Sequence, residues 1–132
     1  MIRLIALVGL LAIAAFAQDW TPTHAALITR FTPLARMARA TGDVVIRCAL
    51  KDDGTVESAE AVSGHALLRD QARENALGWR FQRTSFGKDQ SITLTYQYRL
   101  EGAPSYDSTA SFTVIAPNVV RIVAAPPKAI AD

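Results

Sequence analysis

The chain has 132 residues, with 14 Lys and Arg against 12 Asp and Glu, for a net charge of +2. That length holds one domain, and so small an excess of positive charge is no footprint for a nucleic acid. One cysteine excludes an internal disulfide, two histidines without a Cys-x-x-Cys make no classical zinc site, and 50% hydrophobic against 20% charged residues marks an ordered chain.

The N-terminus has three zones. Arg3 supplies a positive start, residues 4–16 are unbroken and apolar, and Ala15-Phe16-Ala17 offers small residues at the positions a signal peptidase reads. The run is shorter than the roughly 17–25 residues of a membrane-spanning helix. Residues 1–17 are therefore predicted to be a cleaved signal peptide; retained, they would act as a membrane anchor. Export places the lone Cys48 in an oxidising compartment.

Residues 18–30 are a short, weakly patterned segment. Pro33 and Gly42 then frame a short helix, with Leu34, Met37 and Ala38 on one face and Arg36 and Arg39 to the side. From Asp43 to Lys51, Val44, Ile46, Cys48 and Leu50 alternate with Val45, Arg47, Ala49 and Lys51, which predicts a strand with Cys48 on its buried face. Asp53-Gly54 signals a hairpin turn. The return strand, residues 56–62, should put Val56, Ser58, Glu60 and Val62 on one side and Glu57, Ala59 and Ala61 on the other.

Ser63-Gly64-His65 breaks the strand. Leu68, Ala72, Ala76 and Trp79 then recur at helical spacing, so residues 67–79 are predicted helical. Residues 82–90 read as a polar loop. From Ser91 to Leu100, Ile92, Leu94, Tyr96, Tyr98 and Leu100 alternate with polar residues, the mark of a half-buried antiparallel strand. Residues 110–115 and 119–124 flank Ala116-Pro117-Asn118 as a second hairpin, and Pro126-Pro127 should end the order. The order of elements predicts an α+β fold: a small antiparallel sheet of three core strands plus a C-terminal hairpin, packed on one main helix.

The chemistry of catalysis is thin. His24 and His65 have no ligand or base at a meaningful spacing, Ser63-Gly64-His65 is no nucleophile elbow, and Asp52-Asp53 suits a turn better than calcium. A hydrolase or lyase would need His24, His65 and carboxylates gathered in one cleft. The reading is therefore a non-enzyme with no cofactor, no metal and no catalytic residue.

In their order, these residues resemble the C-terminal domain of TonB-family energy transducers. The resemblance runs from Phe31 and Pro33-Leu34-Ala35-Arg36-x-Ala38-Arg39 through Gly42-Asp43-Val44-Val45 and Asp53-Gly54-Thr55-Val56. It continues with Val62-Ser63-Gly64-His65, Leu67-Leu68, Ala72, Ala76 and Trp79-Arg80-Phe81, and closes on the strand to Leu100. Two details depart from the family pattern: Phe31-Thr32 stands for Tyr-Pro, and Arg83 for a proline. The long Pro-rich spacer of a full transducer is also missing. Residues 18–30 would span only some 45 Å when extended, at about 3.5 Å each.

The resemblance implies a TonB C-terminal-like domain over residues 31–102, with 103–132 as an extension whose end is frayed. It also implies a periplasmic location, tethered to the inner membrane if residues 1–17 stay. The partner it implies is the extended peptide of an outer-membrane TonB-dependent receptor, taken up by β-augmentation in transmembrane transport. By that analogy the strand from Ser91 to Leu100 presents the edge, and Ser91, Thr93, Thr95 and Gln97 frame the partner. The alternative is an exported scaffold without energy coupling, its edge covered by its own C-terminal tail.

Overall fold

The computed structural model describes residues 20–24, 31–83 and 90–128; the predicted signal peptide lies outside them. In chain order the elements are β1 (Trp20–His24), α1 (Pro33–Met37), β2 (Gly42–Leu50), β3 (Val56–Ser63), α2 (Ala66–Leu77), β4 (Arg80–Arg83), β5 (Ser91–Leu100), β6 (Ala110–Ala116) and β7 (Val119–Ala124). This is the expected α+β fold. The main sheet runs β3-β2-β5-β7-β6, and β1 and β4 form a separate two-stranded ribbon.

The alternation in β2 and β5 has its expected effect. Val44, Ile46, Cys48 and Leu50 are buried, as are Ile92, Leu94, Tyr96 and Tyr98. The two strands pair antiparallel from Gly42 opposite Tyr98 to Ala49 opposite Ser91. One face of the sheet is covered by α2, through Leu68, Ala72 and Ala76. Edge-to-face packing of Phe31 on Tyr98, 5.6 Å between centroids, seals the same core beside α1.

Four local expectations are corrected. In β3, a register shift opposite Ala49 and Leu50 puts Val56 with Ala59 and Ala61 against the core, not with Ser58; a bulge adds one residue and flips the face. In α1, Leu34 and Met37 are 65% and 58% exposed, while Ala35 and Arg36 turn inward. A helix of five residues has too few turns for its apolar spacing to set the buried face. It also stops earlier than Gly42: Arg39 takes the left-handed position at φ 54°. Its N–H donates to Arg36 O, and the Ala40 N–H to Ala35 O, a Schellman closure built on arginine. Finally, β1 and β4 had no signal beyond one or two residues each, and they form by pairing with each other (Trp20 opposite Arg83, Pro22 opposite Phe81). The Arg83 guanidinium lies over the Trp20 ring at 4.4 Å.

Candidate functional site

The site expected from the sequence is the outer edge of β5. Ser91, Thr93, Thr95 and Gln97 all project from the sheet face opposite α2, as the period of two requires. The edge itself is not open. β5 lies inside the sheet, with β2 on one side and β7 on the other. The β5–β7 ladder is parallel, from Thr95 opposite Val119 to Leu100 opposite Ala124. Thr95 and Gln97 are therefore no edge residues, and the expectation is corrected there. Ser91 and Thr93 precede the ladder, although the Thr93 carbonyl already accepts from Asn118 Nδ2 at 2.9 Å. Gln97 is engaged too: its Oε1 accepts from Arg121 Nε and Nη2, at 3.2 and 3.1 Å.

The closure follows from the tail's own sequence. In β7, Val120, Ile122 and Ala124 are buried and continue the row of Tyr96 and Tyr98, while Arg121 faces solvent. β6 runs back antiparallel outside β7, from Ala110 opposite Ala124 to Ala116 opposite Val119. Both ends of β7 are fixed. At its start, the Asn118 carbonyl accepts from Thr95 N–H at 3.0 Å. At its end, Glu101 N–H donates to Ala124 O at 2.9 Å and Ser105 N–H to Pro126 O at 3.0 Å.

Arg36 completes this end. It is only 6% exposed. Its Nε donates to Ala125 O at 2.7 Å, and its Nη2 donates to Pro126 O at 3.1 Å and to Ser105 O. One planar cation in α1 thus gathers carbonyls from the segment before β6 and the segment after β7, a use suited to the fixed fork of arginine. Sequence reading missed Arg36 because its position beside Ala35 looked like the wet side of a helix. Its only signal was a charge amid small and apolar residues.

The ionisable groups show turn and core chemistry. Burial pushes the Cys48 thiol up to about 12, so it is not a thiolate at neutral pH. Burial likewise raises the Tyr96 phenol above its ordinary range. Asp53 and Asp107 are lowered, chiefly by the hydroxyls of Thr55 and Thr109 that donate to them. Asp53 thus serves the turn, as the sequence suggested. His65 caps α2, its Nδ1 accepting from Leu67 N–H at 3.1 Å. Among the described residues, no three His, Cys, Asp or Glu side chains cluster as metal ligands, and no helix is long and apolar enough to cross a membrane.

Residues 29–100 match the model of the family described as Gram-negative bacterial TonB protein C-terminal. A solved structure, the solution NMR structure of the Pseudomonas aeruginosa TonB CTD, is similar at 19% identity, covering 61% of this chain and 83% of that one, with a TM-score of 0.41. No curated protein matches.

Proposed function

The chain belongs to the TonB C-terminal family, and on that premise we propose that it is an exported, periplasmic protein-interaction module associated with transport, its β5 edge closed in the resting state by its own C-terminal hairpin. The partner class is the extended peptide of an outer-membrane TonB-dependent receptor, which would take the place of β7 beside β5. The observation that carries the reading is the β5–β7 ladder, because it puts an extended segment where the family's partner would pair.

The closure is not a loose cover. Val120 and Ile122 are fully buried, and each such side chain contributes about 1.5–3 kcal/mol. A peptide arriving in trans must match that burial and also pay for its own ordering. The intact chain is therefore predicted to act as a scaffold that does not take receptor peptides. Transport-linked binding would require the hairpin to leave.

The test keeps the whole chain. A protease site placed at the exposed Gly102-Ala103 connection is cut, leaving the hairpin held without a covalent link. Titration of the uncut protein with a receptor peptide should show no saturable binding up to millimolar. The cut protein should exchange its hairpin for excess peptide, followed by native mass spectrometry. Micromolar binding by the uncut chain would overturn the closed edge. Absence of exchange in the cut chain would remove β5 as a peptide acceptor.

A further inference from the structure

The tail that closes β5 is held from outside its own strands. Residues 29–100 contain Arg36; Ser105, Ala125 and Pro126 all lie in the extension beyond them. Arg36 reaches them across 69 to 90 residues of sequence. The three carbonyls sit where the extension enters β6 and leaves β7, so a single side chain fastens both ends of the hairpin. α1, which carries Arg36, is itself secured: Thr32 caps it by accepting from Ala35 N–H at 3.3 Å, and Thr32 N–H donates to Gln71 Oε1 of α2 at 3.2 Å. The clamp is thus mounted on the body of the domain and acts on the tail.

We propose that Arg36 is a latch that sets how often the β6–β7 hairpin leaves the β5 edge. This rests on the reading of β5 as the acceptor edge. The physical ground is what its loss would do. Without the guanidinium, Ala125 O loses its donor and needs water, while Pro126 O and Ser105 O are left with only the Ser105 and Lys128 N–H groups of the tail itself, so nothing in α1 holds the tail any longer. The least costly way to reach water is to lift the tail, because the antiparallel β2–β5 and β2–β3 ladders bear no bond to Arg36. Opening should therefore be local, as in other proteins where segments open below the global unfolding free energy. In the open state β5 exposes a run of main-chain donors and acceptors from Thr95 to Leu100, which is the surface an extended peptide needs. Arg36 is a positioning residue in this scheme: it acts on the site through the tail.

The experiment is amide hydrogen exchange by mass spectrometry on the full chain, comparing wild type with Arg36→Met and Arg36→Lys. Methionine keeps the buried stem and loses the donors; lysine keeps charge and stem but not the fork. Exchange across residues 110–124 should accelerate about tenfold in Arg36→Met and less in Arg36→Lys, with residues 42–50 of β2 unchanged. No acceleration in either variant, or acceleration shared equally by β2 in both, overturns the latch, since Arg36 would then be inert or merely structural. Selective opening without peptide uptake by the cut protein would leave the latch standing and defeat the acceptor reading.

Discussion

At Gly54 one atom decides how closely two segments approach. Its φ is +88°, and a Cβ there would stand 1.7 Å from the Phe81 carbonyl oxygen. The approach is held by the Phe81 N–H donating to Gly54 O at 2.9 Å, which docks the hairpin turn on β4. Gly102 has a similar φ of +89° but nothing within 4 Å of a Cβ. Gly102→Ala should therefore cost only the backbone term, about 1–2 kcal/mol. Gly54→Ala adds an overlap with backbone that cannot rotate away, and should cost about 3 kcal/mol or more in urea unfolding. Equal costs would mean that the turn does not meet Phe81. The turn was legible from Asp53-Gly54, because the backbone preference is local. Its docking was not, because nothing in a turn names the strand it will touch. Arg36 was illegible for the same reason: its three acceptors are fixed only by the tertiary path of the tail.

Between elements, the joint of α2 with β5 depends on Asn75. Its Oδ1 accepts from Trp79 Nε1 at 3.0 Å and from the Tyr96 hydroxyl at 2.6 Å. All three side chains are buried, so each donor would be costly to orphan. Asn75→Leu should destabilise by about 2–4 kcal/mol. In that background, Tyr96→Phe removes one orphaned hydroxyl and should recover about 1 kcal/mol, whereas alone it should cost a similar amount. A double-mutant cycle from chemical denaturation reads the coupling; zero coupling would separate Asn75 from Tyr96. At this scale, strands with several alternating residues were legible: β2 and β5 fell where predicted, as did the β6–β7 hairpin. Elements too short to express a period were not. α1 buries the reverse of its expected face, and β4 has only four residues, the last two of which fall in the predicted polar loop.

The molecule as a whole does not divide where the family match ends. The match closes at residue 100, yet Val120, Ile122 and Ala124 belong to the same buried cluster as Val44, Leu68 and Tyr96. The sequence suggested a core domain with an appended hairpin, and pattern alone allowed β5 to remain an edge. What pattern could not show is that the alternating apolar residues of β7 continue the buried row of β5 in parallel register. If the tail is part of the core, a cavity in it should weaken everything. Ile122→Ala should lower global stability by about 2–5 kcal/mol, with β2 and β7 lost in one transition. Val114→Ala on the exposed side of β6 should cost under about 0.5 kcal/mol. Were the tail an independent cover, Ile122→Ala would accelerate exchange only in the tail and leave the denaturation midpoint unchanged. The two outcomes bear directly on regulation. A hairpin that shares the core cannot be displaced by weak peptide competition, so any opening must begin at its fastened ends, where Arg36 and Asn118 hold it.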